Sequence, residues 1–500
     1  MMFSRSMIKA RAIAIALLMV LAITICPSIL TASRAKVEKT YFAVFINGKK
    51  VGYSKHIRRI ADNKVITENF SVITIGRMGV PMTVRIFQKN VETISGKPLA
   101  FTVVQNLGVI SSKTEGVIDK AGKVHITITT GSNVVRRTLD WPADAVMDQG
   151  LLLIEKKMGH KEGTKYKVKI FDATLLRAVE ADVSIGKTRN VDLLGRVVPL
   201  TEVTVLMKTP TGVLKSIYYD DENYRTQKSI APMLGTTLEM IACSKQFALS
   251  KNDVVDFINK LILTPPKPIK TFKGARKATY TLVATKGAKL YIPATDNQSV
   301  RKTADGKLIV TVEPISPPAG VKFPYTDKDK VALSALKSTQ YLQCDDEKIK
   351  ALAKKAVGGT TDAAIAARRI EAFVNQYIQK KDFSIGYASA AEVARSRQGD
   401  CTEHAVLAAA MCRAIGIPAQ VVAGIAYVED FTGKGKGVFG PHAWVRVFIG
   451  GKWYGLDAAL NGYDAGHIAL AAGDGNLDDF FGIISTLGYF KIAKIQIEKE

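Results

Sequence analysis

Cysteine is scarce in this sequence: there are five in 500 residues, and Cys26 lies in the N-terminal segment. The remaining four are too few for a disulfide scaffold in a chain of this length. Cys401 and Cys412 fall on one predicted helix, roughly 16 Å apart, which is too far for a bond. Cys243 and Cys344 could pair, but the sequence equally allows four free thiols with three of them buried.

Long apolar runs are missing too, except at the N-terminus. Basic residues there precede the run Ala12–Ile25, and Ser33-Arg34-Ala35 offers small residues for cleavage. The pattern predicts a secretory signal peptide over residues 1–35, with an uncleaved membrane anchor as the alternative. The protein is therefore expected to be exported and periplasmic or otherwise extracytoplasmic.

Acidic residues are outnumbered over most of the chain. Residues 36–340 contain 48 Lys and Arg against 27 Asp and Glu, whereas residues 341–500 contain 18 of each. This excess favours anionic envelope surfaces or polymers as partners, although a generally basic proteome would also produce it. Because no clustered basic helix or aromatic-basic motif accompanies the charge, nucleic acid is not expected as a partner.

The length predicts two to four domains after the N-terminal segment. Alternating strand-like segments fill residues 36–160 and 161–275, and the second stretch is either a separate β-rich domain or a continuation of the first. The proline-rich stretch Thr264–Pro268 marks a boundary. A small β segment or linker is predicted over 276–340. An α+β domain is predicted over 341–500, so that the fold class of the whole chain is α+β.

Shorter patterns predict individual elements. Asn47-Gly48 separates two alternating runs, which is typical of a hairpin with a type I′ turn. Apolar spacing predicts helices at Asp144–Met158, Asp253–Leu263 and Thr361–Ile378, and a strand at Ala419–Val428.

A predicted helix begins at Cys401 and ends before Gly416. Asp400 suits the N-cap position, because its carboxylate can accept from the free amides of the first turn. A thiol in that turn lies at the positive end of the helix dipole, which lowers its pKa and favours the thiolate. A lone cysteine on a helix is more often a packing residue, so Cys401 needs partners to count as a nucleophile.

His442 and Asp457 are the predicted partners. A strand begins at His442, Gly450-Gly451 forms a two-residue hairpin turn, and Lys452–Asp457 returns. Because the histidine opens one strand and the aspartate ends its neighbour, the carboxylate can orient the imidazole. The imidazole can then take the proton of the thiol.

Gly-Asp-Cys at 399–401, His-Ala-Trp at 442–444 and Asp457 together resemble the transglutaminase-like superfamily of papain-type cysteine enzymes. The resemblance covers roughly residues 340–491 and includes the segment after the aspartate, through His467. It implies a transglutaminase-like domain over 341–500 and a catalytic triad of Cys401, His442 and Asp457.

Three further residues are candidates for the cleft. The oxyanion would be held by the amide of Cys401 and by one upstream group, for which Gln398 and Tyr387 are equal candidates. Trp444 shares a strand face with His442 and could wall the cleft or fill the core.

His404, one turn after Cys401, is expected to pack or form a hydrogen bond rather than act as the base. Cys401 and His404 are spaced like two zinc ligands, but the sequence has no second close pair of ligands to complete a site. Neither a metal nor another cofactor is therefore expected.

The sequence thus predicts an exported thiol enzyme that acts on amide bonds through an acyl-enzyme. Its substrate would be a peptide or protein, with cell-wall peptide among the candidates. Hydrolysis is favoured over cross-linking, because water outcompetes amines unless the cleft excludes it. The alternative is a non-catalytic envelope-binding or scaffold protein with a vestigial site.

Overall fold

The computed structural model describes residues 36–77, 80–107, 110–130, 133–209, 212–256, 261–285, 288, 290–381, 388–430, 437–475, 483 and 486–499. The predicted signal segment, residues 1–35, lies outside this part of the chain. Two compact units are present, one N-terminal and ending at Asp256, the other formed by the residues described from position 261 onward. No helix within the described residues is both long and apolar enough to cross a membrane.

The N-terminal unit is built mainly from strands. They are β1 (Lys36–Ile46), β2 (Lys49–Ala61), β3 (Lys64–Arg77), β4 (Val80–Thr93), β5 (Pro98–Leu107), β6 (Ile110–Ile118), β7 (Lys123–Thr130), β8 (Asn133–Asp140), β9 (Ala145–Val146), β10 (Lys165–Asp172), β11 (Arg177–Leu193), β12 (Arg196–Thr209), β13 (Gly212–Asp220), β14 (Thr226–Met233), β15 (Thr236–Cys243) and β16 (Val255–Asp256). Its helices are α1 (Asp148–Met158) and α2 (Lys245–Ala248).

All of these strands belong to one sheet. Strands β1 to β8 are neighbours in chain order, β15 pairs with β1, and β14 to β9 continue outward from β15. Tyr41 faces Cys243 in the β1–β15 pairing, which joins the two predicted β-rich stretches into one sheet. The hairpin predicted at Asn47-Gly48 is confirmed, since both residues have positive φ and Ile46 pairs with Lys49.

One helix prediction in this unit is confirmed and another is wrong. Helix α1 lies within the predicted segment Asp144–Met158 but begins at Asp148. The start of the segment Asp253–Leu263 is not helical, because Val255 pairs with Ile75 on β3. Residues 257–260 of this prediction lie outside the described residues, and Leu261 is in a 3-10 turn. A short apolar stretch fits either a strand or a helix by its pattern, and the neighbouring sheet edge decides the outcome here.

The start of α1 is fixed by buried acidic groups. Glu92 accepts the amides of Gln149 at 2.6 Å and Gly150 at 3.0 Å, and Thr67 donates to Asp148 at 2.5 Å. Burial, with Asp148 nearby, raises the pKa of Glu92 to about 8. Burial also raises the pKa of Asp148 to about 6. These two carboxyl groups therefore stay protonated at a pH where exposed ones are ionised.

The C-terminal unit mixes strands and helices. Its strands are β17 (Ala275–Ala284), β18 (Gln298–Lys302), β19 (Leu308–Val312), β20 (Ala419–Val428), β21 (Val438–Ile449), β22 (Lys452–Leu456), β23 (His467–Gly473) and β24 (Phe490–Lys499). Its helices are α3 (Lys330–Ser334), α4 (Glu347–Val357), α5 (Ala363–Tyr377), α6 (Ala390–Ser396) and α7 (Cys401–Ala414). The predicted helix at 361–378 and strand at 419–428 are confirmed as α5 and β20.

Two four-stranded sheets are present in this unit, in the orders β22-β21-β20-β23 and β18-β19-β17-β24. Helix α7 packs against β20 and β21 on one side and contacts α4, α5 and α6. Its side chains from Thr402 to Arg413 are all buried. The helix that begins at the candidate nucleophile is therefore the central helix of the unit.

Residues 276–340, predicted as a separate segment, are joined to the C-terminal unit. Tyr280 on β17 faces Ile495 on β24, and Leu263 forms an isolated bridge with Phe439. The ring of Phe272 lies 5.1 Å from that of Tyr427. The unit with the candidate site thus includes the residues that follow the proline-rich stretch.

Candidate active site

Cys401 is the first residue of α7 and is half-buried. Asp400 is the N-cap, as predicted, and its carboxylate accepts the Thr402 amide at 3.0 Å. Glu403 completes a capping box by accepting the Asp400 amide at 2.9 Å, and its other oxygen accepts the Ala388 amide at 2.9 Å. The thiol is therefore held at a helix N-terminus that is capped by side chains.

The hairpin of β21 and β22 positions His442 and Asp457. Gly450 and Gly451 form its turn with φ of 58° and 89°, and Val445 faces Leu456 across the pair. Asp457 follows the end of β22, and His442 Nε2 lies 2.7 Å from Asp457 Oδ2. Both side chains are buried. Since α7 packs on β21, the thiol and this pair belong to adjoining elements.

The carboxylate of Asp457 is fully enclosed by donors. Its Oδ1 accepts the amides of Ala459 at 2.8 Å and Leu460 at 3.0 Å. The Asp457 amide donates to Glu371 Oε1 on α5 at 2.6 Å. Although burial alone would raise it, the pKa of Asp457 is held well below its usual range by the charge and hydrogen bonding of the histidines beside it. Asp457 is therefore a fixed, ionised group.

One residue of this cluster was not predicted as part of the site. His467, at the start of β23, places Nε2 3.0 Å from the same Asp457 oxygen that His442 contacts. In the sequence it was noted as part of the family-like segment after the aspartate. A histidine three positions after Asp464, in a loop that follows a site aspartate, could have drawn attention to it.

Trp444 lies in the core beside the histidines. It is buried with Val422 and Ala469, and its ring stacks at 20° to that of His442 with centroids 6.1 Å apart. The same indole meets the His467 ring edge-on at 5.2 Å. Of the two predicted roles, the packing role is the one that these contacts support.

The oxyanion candidates have different outcomes. Gln398 is half-buried and lies just before the helix that begins at Cys401, where its backbone forms an isolated β-bridge with Lys380. Its oxyanion role stays a prediction. Tyr387 lies outside the described residues.

His404 is buried, and its Nδ1 lies 2.6 Å from the Asp400 carbonyl, as expected for a hydrogen-bonding residue. Burial lowers the pKa of His404.

Three side chains of this cluster are of types that ligate metals. One ligand atom each from His442, Asp457 and His467 lies within 4.8 Å of the others. The Asp457 oxygen already accepts both imidazoles at hydrogen-bond distance, so an ion would have to replace both bonds. The arrangement therefore fits a hydrogen-bonded cluster.

None of the four cysteines of the described residues is in a disulfide bond. Cys344 and Cys412 are buried, whereas Cys243 and Cys401 are half-buried. Burial raises the pKa of Cys243 and raises that of Cys412 to about 12. Cys401 differs from all three in opening a helix beside a histidine-bearing strand.

Comparison with known proteins identifies this part of the chain. Residues 350–458 match the transglutaminase-like superfamily, as the ordered motifs predicted. The chain thus carries a transglutaminase-like domain in this range. No curated protein matches the chain.

Several solved structures match parts of this chain, at low similarity. A protein from Cytophaga hutchinsonii assigned as a cysteine protease is 19% identical, with 44% of this chain and 88% of that chain covered and a TM-score of 0.31. The beta-barrel-like protein of domain of unknown function DUF1849 from Brucella abortus is 12% identical, with coverages of 41% and 95% and a TM-score of 0.31. The periplasmic domain of TgpA from Pseudomonas aeruginosa, bound to ethylmercury, is 14% identical, with coverages of 40% and 89% and a TM-score of 0.24.

Proposed function

We propose that this protein is an extracytoplasmic thiol hydrolase that cleaves amide bonds in a peptide or protein substrate. The observation that carries the proposal is the buried 2.7 Å contact between His442 Nε2 and Asp457 Oδ2. His442 lies on β21, the strand that packs against the helix beginning at Cys401. Nucleophilic catalysis needs an oriented imidazole within reach of an activated thiol, and the packing of these two elements supports that arrangement.

The protonation of His442 follows from this contact. An ionised carboxylate only accepts, so His442 Nε2 carries a hydrogen and donates it to Asp457. In the neutral ring Nδ1 is then the basic nitrogen. His442 would take the thiol proton there, while Asp457 keeps the ring in this tautomer.

The proposed reaction has two steps, acylation of the thiol and hydrolysis of the resulting thioester. The sulfur of Cys401 attacks the amide carbonyl, the carbon–nitrogen bond breaks, and the leaving amine takes the proton from His442. A water molecule gives its proton to His442 and its oxygen to the thioester carbonyl, which releases the acid and restores the thiol. Hydrolysis is proposed over amine transfer because water is the more abundant acceptor unless the site excludes it.

The location and partners are part of the same proposal. The predicted signal or anchor at 1–35 and the basic composition of residues 36–340 support an exported protein that works at an anionic envelope surface. Cell-wall peptide is one substrate class that such a location would offer.

Alkylation of the full-length protein by iodoacetamide tests the site without a known substrate. We expect Cys401 to react at pH 7 faster than Cys243, which is also half-buried and serves as an internal control. In the His442→Ala variant, Cys401 should no longer react faster than Cys243. A Cys401 rate equal to that of Cys243, or one unchanged by His442→Ala, would favour a vestigial site on a scaffold protein.

Peptide hydrolysis tests the activity itself. Asp457→Asn should lower turnover by roughly 100- to 10,000-fold, since an amide can stabilise the wrong imidazole tautomer. Cys401→Ala should abolish turnover and keep the helical content. Activity that survives in the Cys401→Ala protein would rule out the thiol mechanism.

A further inference from the structure

Two imidazoles share one carboxylate oxygen at the candidate site. His442 Nε2 lies 2.7 Å and His467 Nε2 lies 3.0 Å from Asp457 Oδ2. Because the ionised carboxylate has no hydrogen to give, both nitrogens are donors in this arrangement. The triad aspartate therefore holds a second histidine as directly as it holds the first.

The other side of the His467 ring is fixed by Asp464. Its Nδ1 lies 3.0 Å from Asp464 Oδ1 and 3.1 Å from the Asp464 carbonyl oxygen, and the Asp464 amide lies 3.3 Å from the same nitrogen. Although burial lowers it, hydrogen bonds to Asp457 and Asp464 raise the pKa of His467 to about 9. Asp464 therefore holds the far nitrogen of His467, while Nε2 donates to Asp457.

Packing leaves this ring no freedom to turn. Only 1% of His467 is exposed. Its ring centroid lies 4.8 Å from that of Tyr463 and 5.2 Å from that of Trp444. A buried charge is stabilised only when its partners stay in place, so the position of His467 and the position of Asp457 depend on each other.

We propose that His467 is a positioning residue of the active site, which holds Asp457 Oδ2 where it can orient His442. The inference rests on the proposed thiol function, because a positioning role needs a reaction to support. It assigns a task to a residue outside the Cys401, His442 and Asp457 triad. Asp464 completes the arrangement by holding the far nitrogen of His467.

Several titratable groups surround the His467 ring and bear on any measurement with pH. They are Asp457, Tyr463 and Asp464 on the loop before β23, His442 on β21 and Glu371 on α5.

Iodoacetamide alkylation of Cys401 in the full-length protein tests the role, measured at pH 7 and at about pH 10. His467→Asn should lower the rate at pH 7 by about 10- to 100-fold, since small displacements of a catalytic group have effects of this size. At the higher pH the thiol ionises without help from His442, so the rate should stay within about twofold of the native protein. A variant that is merely misfolded would change both rates.

Two further variants keep the test decisive if His467→Asn does not fold. His467→Gln places an amide donor close to the position of Nε2 and should retain part of the rate at pH 7. Asp464→Asn leaves His467 in place but removes one of its carboxylates, and should cause a smaller loss. Tyr463→Phe keeps the ring against His467 and should match the native protein.

The outcomes separate this inference from the proposed function. If His442→Ala removes the excess reactivity of Cys401 at pH 7 while all His467 and Asp464 variants keep it within about twofold, the triad stands and the role of His467 is refuted. If native Cys401 has no excess reactivity, the thiol function itself fails. A loss in the His467 variants with full rate at the higher pH supports the inference.

Discussion

Gly399 lies directly against the side chain of Glu403. A Cβ at position 399 would come within 2.2 Å of both Cβ and Cγ of Glu403, and Gly399 has a φ of +145°. Only glycine adopts this backbone readily, and only glycine leaves room for the glutamate that caps α7. The residue two positions before Cys401 is therefore part of what holds the helix start in place.

Gly399→Ala should therefore reduce both stability and the reactivity of Cys401. Backbone strain and overpacking together should cost about 2 kcal/mol or more of the free energy of unfolding. Gly462→Ala is a matched control, since Gly462 has a φ of +129° and no atom within 4 Å of an added Cβ. Equal losses in the two variants, measured by chemical unfolding, would show that the contact with Glu403 has no effect.

The pH dependence of stability in the N-terminal unit follows from Glu92 and Asp148. Their pKa values are raised to about 8 and about 6, so the unfolded state releases protons that the folded state keeps. Stability is unaffected below the unfolded pKa values near 4 and falls as the pH rises from there toward 8. The slope should be on the order of 1 kcal/mol per pH unit for each such group.

The Asp148→Asn variant isolates this effect. It removes one titrating group and the nearby acid that helps to raise the pKa of Glu92, so the loss of stability between pH 5 and pH 8 should become smaller. Glu162→Gln, at an exposed position, should leave the native slope unchanged. Thermal unfolding at several pH values is the measurement, and an unchanged slope in Asp148→Asn would contradict the assignment.

Phe272 should be a major contact between residues 261–274 and the rest of the C-terminal unit. Its ring is buried and lies 5.1 Å from that of Tyr427 and 5.9 Å from that of Phe439. Phe272→Ala should lower the stability of the unit by about 3–5 kcal/mol, because the truncation leaves a cavity.

Labelling of Cys412 reports this loss. Its thiol is fully buried in α7, so it reacts only when the C-terminal unit opens. The labelling rate should rise strongly in Phe272→Ala and stay at the native value in Phe247→Ala, where the ring is exposed. An unchanged rate in Phe272→Ala would mean that the stretch before β17 contributes little.

Local chemistry was the part of this structure that the sequence predicted well. Asn47-Gly48 and Gly450-Gly451 supply the positive φ that two-residue turns require, and Asp400 carries a side chain suited to an N-cap. The contact of His442 with Asp457 follows from one of these turns, since a tight hairpin fixes which residues come together. Such signals reside in a few adjacent residues.

Contacts between distant residues were not predictable in the same way. Tyr280 pairs with Ile495, although most of the sequence of the C-terminal unit lies between them. Nothing in the sequence of either strand indicates which strand it pairs with. The bond of His467 to Asp457 depends on a loop conformation with no periodic pattern. The wrong helix at Asp253–Leu263 has the same origin, because pairing of Val255 with β3 overrides local preference.

The excess of basic residues extends into the C-terminal unit. Residues 257–340 carry 15 Lys and Arg against 5 Asp and Glu, and residues 36–256 carry 33 against 22. The described part of 257–340 lies in the C-terminal unit, so the basic excess is not confined to the N-terminal unit. Lys267, Lys270 and Lys273 are exposed there in one short stretch.

If the protein works at an anionic surface, these three lysines should contribute to binding. Replacing Lys267, Lys270 and Lys273 together by Glu should weaken binding to vesicles rich in phosphatidylglycerol by at least about tenfold, since each basic residue near such a surface contributes about 1 kcal/mol. Binding of the native protein should also weaken with salt, because added ions screen exposed charges. Co-sedimentation with vesicles at low and high salt measures both effects.

A control with the same change in net charge separates a local effect from a global one. Lys354, Lys355 and Lys491 are exposed in the part of the chain that is neutral overall, and replacing all three by Glu should leave vesicle binding close to native. Equal losses in the two triple variants would mean that only net charge matters. Native binding that does not change with salt would contradict the electrostatic role, because a contact made by exposed lysines cannot escape screening.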